Sequence, residues 1–281
     1  MKSSVPKVLQ TVGGQSMIIH VLDTALQLQP AGIHVVFNPK VPEVQAACAA
    51  YDITWAAQAA QLGTGHAVQQ AMPGIPENAD VMVLYGDIPL LEAAVLKNLV
   101  ESPSTGAKVL TMDLPEPKGY GRIVRDEPGN ITGIVEERDA SEAQRAITEV
   151  NSGIIMAPRQ VLMSCLDNMA SDNSQNEYYL TDIFSIAYQK GIQTSSVVAP
   201  VATDLEGAND RIQLAELERR YRMKKSTELM QAGVQLADPQ RVDVRGNVEV
   251  GTDVFIDVNV VLEGDISLGD GVHIGPGCVL K

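Results

Sequence analysis

Several short segments carry residue types able to do chemistry. Tyr85-Gly86-Asp87 closes the apolar run Asp80-Val81-Met82-Val83-Leu84-Tyr85. Open α/β sheets bind ligands beyond the carboxyl ends of their strands. Gly86 would let backbone approach closely, and Asp87 offers a hard oxygen to Mg²⁺; the same aspartate would equally cap the turn into Ile88-Pro89. Gln58-Ala59-Ala60-Gln61-Leu62-Gly63-Thr64-Gly65-His66-Ala67 is a glycine-containing loop leading into a helix. Its exposed N–H groups suit an anion or a base edge, or it is a plain helix start with Thr64 as N-cap. His66 falls inside that helix and reads as packed or solvated. Gly119-Tyr120-Gly121-Arg122 has the composition of a tight turn at a ligand, and Glu136-Glu137 offers acceptors to sugar hydroxyls or to water. Asn151-Ser152-Gly153 opens a strand and presents an amide, while Asn209 stands where a helix N-cap is common.

The elements that must position these residues follow two different periods. Up to about residue 200, β-rich runs alternate with helical patterns such as Ser16 to Gln27 and His66 to Met72. The runs are Ile33-His34-Val35-Val36-Phe37, Asp80 to Tyr85, Lys108 to Met112 and Ser152 to Met156. The run at Asp80 is so continuously apolar that it reads as a strand buried on both faces, as in a parallel sheet. Alternating β and α elements argue an α/β layered fold with crossover helices. Arg122-Ile123-Val124 and Ile131 to Val135, flanking Pro128-Gly129-Asn130, read as a hairpin.

Asn209 to Gln231 reads as a long polar linking helix stabilised by i,i+4 charge pairs, with Gly233 as its C′ stop. Beyond residue 240, Val244, Val250, Ile256, Leu262, Leu268, Ile274 and Leu280 recur every six residues. Two positions before each stands Val242, Val248, Val254, Val260, Ile266, Val272 or Cys278. That period matches a hexapeptide parallel β-helix. The expected division is 1–208, 209–233 and 234–281.

Composition excludes several classes. The chain has 281 residues, 45% hydrophobic and 20% charged, which is ordinary globular usage rather than disorder or coiled coil. Its net charge of −14 argues against a broad nucleic-acid face. An anionic ligand would then need local help from a metal or a few cations. Cys48, Cys165 and Cys278 are dispersed, so neither a disulfide framework nor a zinc site is indicated and a reducing cytoplasm is expected. No stretch of about 18 apolar residues exists, so no membrane insertion is expected.

Taken together, the segments form an ordered set. Val5-Pro6-Lys7, the loop from Gln58 to Ala67, Leu84 to Leu90, Gly119 to Ile123, Gly133 to Glu136, Asn151 to Ile154, Tyr178-Tyr179-Leu180-Thr181-Asp182 and Glu206-Gly207-Ala208-Asn209 occur in this order, followed by the repeats. The whole chain resembles the bacterial bifunctional N-acetylglucosamine-1-phosphate uridylyltransferase / glucosamine-1-phosphate acetyltransferase family. The resemblance implies an α/β nucleotidyltransferase domain with a Rossmann-like mixed sheet, a linking helix and the first turns of a left-handed parallel β-helix. It implies Mg²⁺-dependent joining of UTP and N-acetylglucosamine 1-phosphate into UDP-N-acetylglucosamine and pyrophosphate, for peptidoglycan and lipopolysaccharide precursors, by a cytoplasmic homotrimer. Asp87 and Asn209 correspond to the metal-holding positions and Lys7 to the lysine on phosphate. Gln58, Gly63 and Thr64 match the uracil-recognising positions. Tyr85, Gly86, Gly121, Glu136 and Asn151 match positions around ribose and the acetamido sugar.

The family pattern also has a first strand and a glycine-rich LAAGxGTR loop before the segment matching Met1 to Lys7, and further β-helical turns that carry the acetyltransferase histidine and acetyl-CoA groove. No residue here matches those features, and His273 has no catalytic counterpart. The expectation is a chain truncated at both ends, without its first strand, with little uridylyltransferase activity and an exposed, aggregation-prone solenoid end. Other readings are a different sugar-1-phosphate nucleotidyltransferase, which Gln58 with Gly63-Thr64 and the β-helix disfavour, and an inactive binding or oligomerising module, which Asp87 and Asn209 argue against.

Overall fold

A short antiparallel pair, β1 (Thr11–Val12) and β2 (Gln15–Ser16), turns at Gly13 and Gly14, both at positive φ. The computed structural model describes residues 1–281, the side chain of Thr203 excepted. Its contacts divide the chain into two units, one of Val21–Tyr85 and Leu91–Glu206, the other of Met1–His20, Gly86–Leu90 and Gly207–Lys281.

In the first unit β3 (His34–Phe37) pairs in parallel with β4 (Thr54–Ala57). The larger sheet contains β5 (Asp80–Val83), β6 (Ala107–Asp113), β7 (Arg122–Arg125), β8 (Ile131–Val135), β9 (Glu149–Pro158) and β10 (Thr194–Val198). Its order is β10-β6-β9-β7-β8, with β5 also on β9. β10 and β6 run parallel, whereas β9 is antiparallel to β5, β6 and β7, so the sheet is mixed. The β7–β8 hairpin falls where the Pro128-Gly129-Asn130 turn places it.

Burial of β5 departs from expectation. Asp80 to Val83 are only half-buried or exposed, and their partner strand is antiparallel. The strands covered on both faces are β6 and β9, where Val109, Leu110, Val150, Ile154 and Ile155 are essentially inaccessible. Continuous apolarity alone does not say which strand sits centrally, because sheet order is set by pairing partners remote in sequence. Val109, Ile155, Leu162 and Phe184 anchor the core beneath this sheet. Lys108 is buried yet satisfied, donating from Nζ to the carbonyls of Leu99, Val100 and Ser102 at 2.5–3.2 Å. Together with the Ser102 hydroxyl, which donates to Leu99 O at 2.8 Å, it satisfies the last carbonyls of helix Ala93–Glu101.

In the second unit the long helix runs Arg211–Gln231. Its cap is Asp210, whose carboxylate accepts from the Ile212 and Gln213 amides at 2.9 and 2.8 Å; Asn209 is not the cap. Gly233 follows at φ +98, the left-handed stop expected of C′. The helical charge pairs form at i,i+3 (Glu216 with Arg219, Lys225 with Glu228) as well as i,i+4 (Glu216 with Arg220). Leu217 and Tyr221 share a cluster with Val12, Met17, Leu90 and Ala208, and Leu229 joins the β-helix core.

The repeat region forms two parallel stacks, β11 (Gln235–Leu236) with β13 (Phe255–Ile256) and β15 (His273–Ile274), and β12 (Val242–Val250) with β14 (Val260–Leu268) and β16 (Val279–Leu280). Val242 pairs with Val260, Phe255 with His273 and Val261 with Val279, so each coil takes 18 residues, or three hexapeptides. Val244, Ile256, Leu262, Leu268 and Ile274 point inward and are buried. Gly246 sits at φ +144 within β12, and a Cβ there would overlap the Gly264 backbone in the next coil.

Candidate active site

In the second unit three expected residues converge. The Lys7 ammonium forms an ion pair with Asp87 Oδ2 and donates to Asn209 Oδ1 at 2.6 Å. Lys7 follows directly on the turn begun by Pro6 and opens a short 3₁₀ segment ending at Leu9. Asp87 is mostly covered, and Gly207 leaves room for it: a Cβ at that position would stand 2.8 Å from Asp87 Oδ2 and 3.0 Å from its carbonyl oxygen. The close approach, not a special dihedral, requires glycine there. Gly86 makes only ordinary contacts with Val8 and Ile18, so no protein neighbour demands glycine at that position. Among the described residues no three His, Cys, Asp or Glu side chains cluster as metal ligands. Asp87 and Asn209 supply two hard oxygens meeting on one cation, the Lys7 ammonium.

In the first unit the Gln58 loop is tightly tied. Gly63 adopts φ +115, and a Cβ would press within 2.5–2.7 Å of the Tyr178 backbone. Tyr178 N donates to Leu62 O, and Gly65 N donates to Tyr178 O, both at 2.8 Å. Thr64 does not cap its helix, Thr64–Ala71. Its hydroxyl accepts instead from Leu180 N at 3.0 Å. Gln58 Nε2 donates to Gly63 O at 3.1 Å and lies 3.0 Å from His66 Nδ1.

A second group lies along β9. Asn151 N donates to Gly121 O at 2.8 Å, and Asn151 Oδ1 accepts from Gly153 N at 2.9 Å. Gly153 has φ +86, and a Cβ there would overlap the Tyr85 ring. Glu136 accepts from the Thr181 hydroxyl at 3.0 Å, and burial raises its carboxyl above the usual carboxylate range. Asp182 is pushed up to about 6, first by burial and then by the charges of Glu136 and Asp139. Arg122, 2% exposed, pairs with Glu137 and donates to the Tyr120 carbonyl, fixing the Gly119-Tyr120-Gly121 turn. Its guanidinium holds the Glu137 carboxyl below its ordinary value.

Sequence reasoning gave no role to Gly153, Thr181, Gly207, Arg122 or His66. Tyr178–Thr181 is the connection it lacked, since that segment touches Gly63 and Gly65, Thr64, and Glu136 in turn. Its signal was the motif Tyr178 to Asp182 itself. A cavity of about 390 Å³ in the second unit is lined by Thr11, Gly14, Arg211, Leu214, Ala215, Glu218 and Arg245, and none of the expected site residues is among them.

A mixed α/β sheet with a glycine loop opening a helix, followed by hexapeptide coils, is the architecture of a nucleotidyltransferase-like domain joined to a hexapeptide-repeat solenoid. Comparison agrees: residues 1–139 match the model of the MobA-like NTP transferase domain, and residues 244–281 match the bacterial transferase hexapeptide model with six repeats. The chain is 46% identical over 281 residues to the bifunctional protein GlmU of Alkalilimnicola ehrlichii, and 49% identical over 282 aligned positions to those of Pseudomonas entomophila and Cupriavidus pinatubonensis. All of this chain is covered in each case, with 61–62% of the relative's length. The chain is similar along its whole length to these bifunctional GlmU proteins and spans about three-fifths of the length of the curated relatives it matches. Among the described residues no helix is long and apolar enough to cross a membrane.

Proposed function

We propose that this protein transfers a uridylyl group from UTP to N-acetylglucosamine 1-phosphate, giving UDP-N-acetylglucosamine and pyrophosphate in the cytoplasm. The observation that carries this reading is the convergence of Lys7, Asp87 and Asn209. A phosphate oxygen of the sugar phosphate attacks the α-phosphorus in line. The new P–O bond forms as the bond to the bridging oxygen breaks, and the electron pair leaves with pyrophosphate. No covalent enzyme intermediate is required, so positioning and charge neutralisation supply the catalysis.

The hard-oxygen donor set of Asp87 and Asn209 fits Mg²⁺, which prefers oxygen ligands and keeps water and phosphate in its remaining positions. When bound it would neutralise phosphate charge. Lys7 then turns from Asp87 and Asn209 to a phosphate oxygen. Gln58, Gly63 and Thr64 take the uracil edge; Tyr85, Gly86, Gly121, Glu136 and Asn151 line ribose and acetamido sugar. We assign 1–208 to nucleotidyl transfer, 209–233 to the linking helix and 234–281 to the start of the β-helix, the domain through which the intact family protein forms a homotrimer.

The test is product formation by the purified protein with UTP, Mg²⁺ and either N-acetylglucosamine 1-phosphate or glucose 1-phosphate. UDP-N-acetylglucosamine and pyrophosphate in equal amounts, with a clear preference for the acetylated sugar, support the assignment. Against the expectation of little activity, product must form: no product, or equal use of the two sugars, overturns the assignment.

A further inference from the structure

We infer that His66 is a positioning residue that fixes the direction of the Gln58 amide and so sets base choice; this rests on the uridylyl reading above. The chain of groups is short. Gln58 Nε2 stands 3.1 Å from Gly63 O and 3.0 Å from His66 Nδ1, and Gln70 Nε2 stands 3.2 Å from His66 Nε2. A backbone carbonyl only accepts, so the Gln58 end facing Gly63 must be the NH₂ group. One of its hydrogens goes to Gly63 O and the other to His66, so Nδ1 must be the accepting nitrogen. The imidazole then carries its proton on Nε2; two N–H groups cannot face each other, so the Gln70 amide, whose Nε2 stands at that nitrogen, is assigned the flipped orientation with its oxygen toward the ring.

Both Gln58 N–H groups are therefore consumed, and Oε1 is left without a donor among the described residues. Gly63 is itself packed at positive φ against the Tyr178 backbone. The outcome is a half-buried Gln58 side chain at the base of a mostly exposed loop, presenting one acceptor of fixed direction. Uracil offers an N3–H donor to such an acceptor. Cytosine offers an N3 lone pair, which leaves two acceptors opposed. Thymine has the same N3–H as uracil and is not rejected by this device. A site built around one polar contact rejects the ligand that leaves it unpaired.

The experiment measures affinity for Mg²⁺-UTP, Mg²⁺-CTP and Mg²⁺-dTTP by calorimetry on the full chain, carried to millimolar nucleotide. Nitrogen NMR of isotope-labelled His66 reads its tautomer without any nucleotide. The expected tautomer has the proton on Nε2. His66→Leu is expected to lower the UTP-to-CTP affinity ratio by about 10-fold, the worth of one ordinary hydrogen bond, with the dTTP-to-UTP ratio unchanged. Gln70→Leu lies on the exposed face of its helix, so it tests the same chain if His66→Leu does not fold; it should shift the ratio the same way by about 3-fold. A proton on Nδ1, or a UTP-to-CTP ratio unchanged in whichever variant folds, overturns the role of His66 while leaving the uridylyl reading intact. Failure of the wild-type protein to bind any of the three nucleotides overturns that reading and this inference together.

Discussion

Lys7 Nζ lies 2.6 Å from Asn209 Oδ1, a hydrogen bond between side chains 202 positions apart, and the same ammonium pairs with Asp87. Removing any one of the three should affect transfer more than folding, because Asn209 is exposed and Lys7 and Asp87 are only half-buried. Lys7→Ala and Asp87→Asn are each expected to lower kcat by about 10²- to 10³-fold, the usual cost of losing one group that stabilises developing charge. Pyrophosphate release checks this. Calorimetry with Mn²⁺ alone separates the roles: Asp87→Asn should weaken cation binding, whereas Lys7→Ala should strengthen it by removing the competing ammonium.

Gly207→Ala should act through Asp87. The added carbon would stand 2.8 Å from the carboxylate, which must move. A shift of that kind is expected to cost about 10-fold or more in kcat/KM. Thermal melting should change little, since the carboxylate can swing toward solvent. Loss of folding with no separate effect on rate would contradict the assignment.

The buried Arg122 guanidinium needs its partner. Glu137→Gln would leave that cation inside the protein without a countercharge, and such one-sided losses are destabilising. The melting temperature should drop. Replacing both residues, as Arg122→Met with Glu137→Leu, should recover part of the loss. If the double variant melts lower than Glu137→Gln, the ion pair contributes more than the avoidance of an unpaired charge.

Stability should also fall as acid is neutralised around Asp182. Its carboxyl is raised from 3.8 to about 6, so the folded state binds the proton more tightly than the unfolded state. That contribution is complete below 3.8 and is lost as pH rises through about 6. Asp182→Asn should therefore gain stability relative to the parent at pH 7 and show no gain at pH 3.5 (values chosen about either side of the window). Urea midpoints at the two pH values measure this. An equal gain at both would trace the effect to something other than the carboxylate charge.

Local periodicity made much of the architecture readable in advance. Six-residue spacing in Val244 to Leu280 leaves one arrangement in which every unit buries its apolar side, and the 18-residue register of Val242 on Val260 follows from it. The β7–β8 hairpin was equally readable, because a turn and its two strands are neighbours in the chain. Position within the larger sheet was not. β5 is more apolar in pattern than it is buried, since β6 and β9 take the central places through pairings across 40 or so residues of chain.

The site divides along the same line. Residue types in sequence were enough to mark Lys7, Asp87, Gln58 and Asn151 as groups capable of the chemistry, because donor, acceptor and charge are properties of the side chain alone. Which groups meet is a property of distance. Only folding joins Lys7 to Asn209, seats the Tyr85 ring where Gly153 has no side chain, and brings Thr181 to Glu136. Amide direction at Gln58 is the finest case: the sequence contains glutamine, glycine and histidine, but the two acceptors that orient the amide exist as a pair only once the loop has closed.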